Sequence, residues 1–286
     1  MKICAIVLNY RNAARTAACM SSLIGQGLHT VLVIDNSDDT EAAEELAAMV
    51  DKQFDHADYN LRLLNPGSNL GFAQGINFGL NNVASLNFDA YLLINNDAIA
   101  MPSMVSRLAA ALSDSDAEMV APIVVDVKGQ PLPMLWYQRY FGLQTAFPLL
   151  GSFPYLSGCC LLVRREMLRE GKLLDEDFFM YGEDTLLGWR LACNEMELLR
   201  LNDACVRHEG EGSSRRGKLF YEYHMARAHI LLAKKTWHHP LEIPVMLAGK
   251  SVALILRAFW RSMRFGNVIP LKAFFMAWRK LNVRVP

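Results

Sequence analysis

The segment LLINNDA places Asn95, Asn96 and Asp97 directly after an apolar run. A carboxylate fixed at the end of a buried strand can take one position on a divalent ion whose other ligands are phosphate oxygens and water, which suits magnesium or manganese. The same residue can instead be an Asx turn or the N-terminal cap of the following helix, and spacing alone leaves both readings open. Asp35, in VIDNSDD, is read either as a capped turn or as a partner for a base or ribose. Glu183 and Asp184 stand side by side after Gly182 at a predicted helix start, where anions are favoured. One of them could then serve as a general base while the other makes structural contacts, and ordinary capping is the competing reading. His208 ends a strand-like stretch and could meet a phosphate or a metal, or be structural. Arg215, Arg216 and Lys218 follow it, either closing over a diphosphate or forming an exposed loop.

Asn69 and Gly71 belong to NPGSNLGFAQGIN, a glycine-bearing loop that opens onto a helix starting near Phe72. Glycine permits close backbone approach, and a helix N-terminus favours a phosphate. The loop is not a Walker loop, because no Gly-Lys-Ser/Thr follows, and it lacks the spacing and position of a dinucleotide fingerprint. Gly75 and Gly79 could serve only tight helix packing.

Short apolar runs alternate with helical patterns: ICAIVLN before Ala13 to Gly25, TVLVID before Thr40 to Gln53, LRLLN before Phe72 to Val83, AYLLIN before Pro102 to Leu112, and then MVAPIVV. Strand and helix in turn predict an α/β sheet, mostly parallel. Right-handed crossovers put the C-terminal strand ends on one edge, where ligands bind in open α/β folds. Asn9, Tyr10 and Arg11 follow the first strand, Asp35, Asn36 and Ser37 the second, Asn65 to Phe72 the third, and Asn95 to Asp97 the fourth. Four strand ends are therefore expected to converge on one site. From Lys128 to Phe153 the periodicity fails among Pro131, Pro133, Gly142, Pro148 and Gly151, which predicts a long surface segment. YLSGCCLLVRREML then predicts a strand and short helix, GEDTLLGWRLACNEM a helix, and ELLRLNDACVRH a strand ending at His208.

The 286 residues are 52% hydrophobic and 20% charged, enough to bury a substantial core, so disorder is excluded as a reading. Lys plus Arg and Asp plus Glu both number 29, which gives no global basic field and no argument for nucleic acid. The six cysteines form no CxxC pair, which argues against a disulfide framework or structural zinc and fits reduced thiols in the cytoplasm. The opening MKICAIVLNYRN reads as a first strand rather than a signal peptide.

The balance of charge conceals a split. From Ile243 to Pro286 there are eight cations and no acid, leaving 21 bases against 29 acids before it. Lys250, Arg257, Arg261 and Arg264 gather on one helical face, with Val252, Ile255, Leu256, Phe259, Trp260 and Met263 on others. A basic amphipathic tail of this kind is expected to lie on an anionic membrane surface, the alternative being a helix hairpin packed on the body or on a second subunit in a homodimer. Lys250 and Arg257 interrupt the apolar stretches, so no spanning helix is expected. The expected division is a body over residues 1–240 and a tail over 241–286.

Taken in order, AIVLNYRN, VIDNSDD, NLGFAQGIN, LLINNDA, SGCCLLVRRE, DEDFFMYGEDTLLGWRL and VRHEGEGSS resemble glycosyltransferase family 2, of the GT-A fold, and within it the bacterial rhamnosyltransferase-like branch. The resemblance runs from Lys2 to about Ser214. It implies a Rossmann-like, mostly parallel mixed sheet flanked by helices, and an inverting, metal-dependent hexosyltransferase. Asp97 would coordinate Mg2+ or Mn2+ on the donor diphosphate, with Asn95 in the first position of an Asp-x-Asp-like motif and His208 near the metal. Asp35 and the turn from Asn9 through Tyr10 to Arg11 would cradle the nucleotide, Asn69, Gly71 and the Asn95–Asn96 pair would line the donor pocket, and Asp184 would be the base, supported by Glu183. The sequence departs from the family at Leu186, where a further Asp is frequent, and at Asn95, where a first carboxylate is frequent.

The resemblance and the tail together imply a dTDP-, UDP- or GDP-linked sugar donor, with rhamnose suggested by the branch. They also imply a lipid-linked glycan or polyprenyl-diphosphate acceptor used for surface polysaccharide, and a peripheral position on the inner face of the cell membrane. Two other classes remain in view. A catalytically silent nucleotide-sugar-binding or membrane-docking partner would bind donor yet release no nucleoside diphosphate. A nucleotidyltransferase would need a glycine-rich, Lys/Arg-bearing loop after the first strand, and LNYRNAART lacks the glycines.

Overall fold

ICAIVLN is apolar up to its last residue and forms β1 (Ile3–Asn9), buried on both faces as a central strand between helical layers must be. The computed structural model describes residues 1–210 and 217–279. After β1 come α1 (Ala13–Ser22), β2 (Thr30–Asp35), α2 (Thr40–Gln53), β3 (Asn60–Leu64), α3 (Phe72–Val83), β4 (Ala90–Asn95), β5 (Ala98–Ala100), α4 (Met104–Asp114) and β6 (Met119–Val125). Next along the chain are β7 (Leu135–Gln138), β8 (Leu143–Thr145), β9 (Ser152–Tyr155), β10 (Cys160–Arg164), α5 (Glu183–Cys193) and β11 (Leu198–His208). Three helices follow: α6 (Leu219–Lys235), α7 (Glu242–Phe265) and α8 (Ile269–Arg279).

The chain divides into two units. The first comprises Met1–Pro133, Leu156–Asp175 and Asn194–Gly210, and carries an eight-stranded sheet in the order β3-β2-β1-β4-β10-β6-β11-β5. Strands β3, β2, β1 and β4 run parallel, β10 is antiparallel to β4 and β6, β11 is parallel to β6, and β5 is antiparallel to β11. The register aligns Asn9 with Asp35 and Leu8 with Asn95, so polar residues emerge from three neighbouring strands at one edge. Helix α3 approaches the sheet through glycines. A Cβ on Gly75 would stand 2.8 Å from Leu8 and one on Gly79 2.4 Å from Ile34, so these two serve close packing.

The second unit takes in Met134–Tyr155, Glu176–Cys193 and the chain after Gly210. Residues 128–153, expected as a surface segment, instead contain β7 and β8 and lead into β9, a small antiparallel sheet in the order β8-β7-β9. Tyr137, Phe153 and Tyr155 are buried there with Phe178, Leu186 and Trp189. Strands of three or four residues broken by Pro and Gly show no alternation to read, and their buried side chains are aromatic rather than aliphatic.

Residues 241–279 group with this unit rather than standing apart, since Tyr223 and Ile230 of α6 share one core with Leu254 and Ala258 of α7 and Ala273 and Phe274 of α8. Two expectations about the tail are corrected. Lys250, Arg257 and Arg261 do not face outward: Lys250 is 1% exposed, and both arginines reach Glu222 on α6. The apolar positions face outward instead. Helix α7 is also, by length and composition, long and apolar enough to cross a membrane. Helical periodicity groups residues on a face without saying which way the face points, and the partner Glu222 lies 35 to 39 residues away.

Candidate active site

Asp35 closes β2 beneath the sheet edge and is 1% exposed. Its Oδ1 accepts from Asn9 Nδ2 at 3.0 Å and from the Ser37 amide at 3.1 Å, and its Oδ2 accepts from Asn65 Nδ2 at 3.1 Å. Thr16 Oγ1 donates to Asn9 Oδ1 at 2.7 Å, so a continuous hydrogen-bonded hub ties β1, α1, β2 and the loop after β3. Every buried polar group in such a network needs its partner, which makes the hub a rigid platform. Asp35, expected at the nucleotide, thus accepts three protein donors over its two oxygens. What it presents to solvent is the turn above it. Arg11 takes a left-handed φ of 49° there, its amide bonded to Ser37 Oγ at 2.9 Å and its guanidinium to Asp38 at 2.7 Å. Tyr10 lies beside it, with the Arg11 guanidinium 5.5 Å from its ring.

Asn36 holds the glycine-bearing loop. Its Nδ2 donates to Asn69 Oδ1 and to the Gly71 carbonyl, and its Oδ1 accepts from the Leu70 amide at 2.9 Å. Gly71, at φ 78°, caps α3, and its amide donates to Asn69 Oδ1 at 2.9 Å. Asn36 and Ser37, not singled out for binding, organise this edge together with Asn9 and Asp35, and their position at a strand end was the available signal.

Asp97 is not a helix cap. Asn96 and Asp97 form the tight turn from β4 to β5, and the cap position of α4 belongs to Ser103. Pairing of β5 with β11 sets Ala98 opposite His208, and His208 Nε2 comes to 3.1 Å from Asp97 Oδ1. Burial opposes ionisation of Asp97, but the hydrogen bond and charge of His208, with Arg15 behind them, prevail and lower its pKa. Asn96 Nδ2 donates to Thr16 Oγ1 at 3.1 Å, which joins this turn to the hub, and the Asn95 amide donates to the Cys159 carbonyl.

Asp97 and His208 are thus a carboxylate and an imidazole on adjacent strand ends; the carboxylate suits magnesium or manganese, and an imidazole beside it favours the transition metal of the two. Among the described residues no three His, Cys, Asp or Glu side chains cluster as a metal cage, so an ion here would complete its shell with ligand oxygens and water. Arg215 and Arg216 lie outside the described residues, and Lys218 precedes α6.

In the second unit, Tyr181 and Gly182 take left-handed φ values of 68° and 89° and turn the chain into α5. A Cβ on Gly182 would stand 2.9 Å from the Phe178 ring, so the turn requires glycine. Glu183 is buried, with no partner for its Oε2, and burial first, then the charge of Asp184, pushes its carboxyl well above the usual carboxylate range. Asp184 Oδ1 accepts from the Thr185 amide at 2.6 Å and from Thr185 Oγ1 at 3.2 Å. The two neighbours are therefore unequal: one carboxyl held neutral, the other oriented by Thr185.

The chain is similar to known glycosyltransferases in fold and sequence. A mannosyltransferase from Pyrobaculum calidifontis, solved with GDP-mannose and Mn2+, superposes with a TM-score of 0.58 at 14% identity, over 98% of this chain and 86% of that one, a likeness of fold. The N-acetylglucosaminyl-diphospho-decaprenol L-rhamnosyltransferase of Mycobacterium tuberculosis is 25% identical over 72% of this chain and 79% of its own length. A low-salt glycan biosynthesis hexosyltransferase of Haloferax volcanii is 23% identical over 63% of this chain, which spans 58% of that relative's length. The fold is GT-A-like. Residues 4–172, the stretch that builds the sheet edge with its Asp35 hub and Asp97 turn, match the glycosyl transferase family 2, and the chain belongs to that family.

Proposed function

We propose that this protein is an inverting glycosyltransferase that moves a hexose from a nucleoside-diphosphate sugar to a hydroxyl of a lipid-linked glycan. The observation that carries the reading is the Asp97–His208 pair, set at 3.1 Å on the ligand edge of the sheet beside the Asn9–Asp35–Ser37 hub. Asp97 and His208 would hold Mg2+ or Mn2+, which when bound offsets negative charge on the leaving diphosphate. The Asn9 to Arg11 turn, Asp35, the Asn69–Gly71 loop and Asn95 and Asn96 line the donor side, with Asp35 also holding Asn9, Ser37 and Asn65.

Asp184 accepts the proton of the acceptor hydroxyl as that oxygen attacks the anomeric carbon. The carbon–oxygen bond to the diphosphate breaks on the opposite face, and the nucleoside diphosphate leaves with the electron pair. Glu183, held neutral, does not compete for the proton. The activity of the mycobacterial relative supports rhamnose as the sugar and a polyprenyl-diphosphate sugar as the acceptor, and a lipid-linked acceptor of that kind places the enzyme at the inner face of the cell membrane in surface polysaccharide synthesis. The bound Mn2+ of the Pyrobaculum enzyme supports the metal.

The reading is tested by offering dTDP-rhamnose, UDP-N-acetylglucosamine and GDP-mannose with an N-acetylglucosaminyl-diphospho-lipid and Mn2+. Nucleoside diphosphate should be released from one donor, only with acceptor and metal both present. Well-folded protein that binds a donor yet releases nothing would make it a silent binding partner instead.

A further inference from the structure

Helix α7 is amphipathic in the reverse sense of an ordinary surface helix. Val245, Val252, Leu256, Phe259, Trp260 and Met263 recur at helical spacing along one side and are between 52% and 63% exposed. The opposite side carries the cations. Arg261 Nε lies 2.9 and 3.0 Å from the two carboxylate oxygens of Glu222, and Arg257 lies 3.3 Å from the second. Glu222 is 2% exposed and Arg261 9%, so that pair is internal, with the Arg257 side chain partly covered at its flank. Lys250 points over the Tyr137 ring at 5.0 Å, and burial drives its pKa well below the ordinary value. Folding thus buries Lys250 and Arg261, ties the partly covered Arg257 to Glu222, and leaves on the other side an apolar strip spanning about 27 Å from Val245 to Met263.

We propose that this strip inserts into the acyl region of a lipid bilayer, holding α7 flat in one leaflet by hydrophobic burial rather than by charge. The inference rests on the membrane-side placement in the proposed function and supplies its physical cause. Three observations select lipid as the occupant. Beside the strip runs an open groove of about 640 Å³ between Tyr140–Phe141 and Pro244–Val252, walled by apolar surface, with the Tyr140 hydroxyl turned towards Glu242. Such a groove offers a peptide backbone nothing to bond, whereas a hydrocarbon chain needs nothing.

The charges left exposed on the hairpin, Arg264, Lys272 and Arg279, are all positive, and no acid lies between Ile243 and Arg279. A second copy would set like charges together, while lipid headgroups complement them. Arg264 stacks on Trp260 at 5.2 Å, an arrangement suited to the headgroup boundary. Finally, α7 lies along α6, which carries Glu222, Arg227, Lys234 and Lys235 and cannot enter hydrocarbon, so α7 lies in the plane of the membrane although its length would let it cross.

The test is co-sedimentation of the full chain with neutral phosphatidylcholine vesicles at about 1 M salt, where surface electrostatics are screened. The wild type should pellet. Leu256→Asp with Phe259→Asp should lower the partition coefficient roughly tenfold or more without changing the circular-dichroism melt, while Arg264→Ala with Lys272→Ala should change it by less than about threefold. Binding confined to anionic vesicles at low salt would overturn the proposal. So would an unchanged partition in the double Asp variant, or its conversion of a dimer to a monomer with vesicle binding intact. Sedimentation needs no turnover, so lack of sugar transfer with vesicle binding retained refutes the proposed function alone, and transfer to a soluble acceptor without vesicle binding refutes insertion alone.

Discussion

His208 reaches Asp97 across 111 residues of sequence because β5, only three residues long, pairs antiparallel with the end of β11. The contact is a product of sheet register: Ala98 opposite His208 leaves the preceding residue, Asp97, at the turn beneath the imidazole. A one-residue slip would turn the side chain to the other face, so the pair depends on the pleat as much as on its own chemistry.

The two carboxyls that open α5 are expected to respond differently to loss of charge. Asp184→Asn should lower kcat by roughly 10²–10⁴-fold while leaving donor affinity unchanged, because it removes the proton acceptor alone. Glu183→Gln imitates the neutral state in which burial already holds Glu183, and kcat at neutral pH should stay within about threefold of wild type. Steady-state kinetics with a lipid-linked acceptor measures both. Equal losses in the two variants would show that the pair acts as one structural unit.

Asp35→Ala removes the main acceptor of two buried donors, the Ser37 amide and Asn9 Nδ2, which keeps only a 3.4 Å contact to Ser37 Oγ, while the exposed Asn65 can turn to water. It should cost about 2–4 kcal/mol in urea denaturation, since each unsatisfied buried donor carries its own desolvation penalty. Donor affinity should fall with it, through loosening of the Arg11 turn. A variant as stable as wild type would mean that water replaces the carboxylate.

Acid should weaken the second unit through two buried histidines. Burial, with Arg227 nearby, lowers His224 to about 4, and burial with Lys250 and Arg257 lowers His229 to about 3. Between those values and the ordinary 6.5 the unfolded chain binds more protons than the folded one, so stability is whole above pH 6.5 and drains as pH falls. Neither ring nitrogen of His224 has a hydrogen-bond partner, and the ring stacks with Phe179 and packs against Phe220. His224→Phe should therefore recover roughly 2 kcal/mol at pH 4.5 relative to pH 7.5. Glu183 acts in the other direction: its raised carboxyl binds more protons folded than unfolded above 4.5, so its contribution is lost as pH rises. Urea melts at the two pH values check the prediction, and an identical pH dependence in wild type and His224→Phe would contradict it.

Gly188 lets α5 sit on β9. A Cβ there would lie 2.4 Å from the Tyr155 Cβ and 2.9 Å from the Pro154 carbonyl oxygen, which is backbone and cannot swing aside. Gly188→Ala gains about 1 kcal/mol of helix propensity but should lose more to overpacking, for a net cost of about 1–2 kcal/mol by thermal denaturation. No loss of stability would mean that α5 is free to shift.

The alternating frame was legible because each parallel strand is a continuous apolar run, and the polar residues that end those runs mark the site edge. Asp97 and His208 could each be singled out as strand-end residues, but their contact could not, since it depends on the β5–β11 register. The segment around β7 to β9 was opaque because its strands are too short to show alternation. The tail misled for a different reason: its four cations do share a helical side, but Glu222, on another helix, draws Arg257 and Arg261 inward and only Arg264 stays exposed.

The central claim is that Asp97 and His208 build a divalent-metal and donor-diphosphate site. Calorimetric titration of dTDP, UDP and GDP with and without Mn2+, on the wild type and on Asp97→Ala, tests it most directly. One nucleotide should bind the wild type in a metal-dependent manner, with affinity falling roughly tenfold or more in Asp97→Ala, the loss expected when a charge-assisted contact is removed. Equal, metal-independent binding by both proteins would contradict the assignment of Asp97.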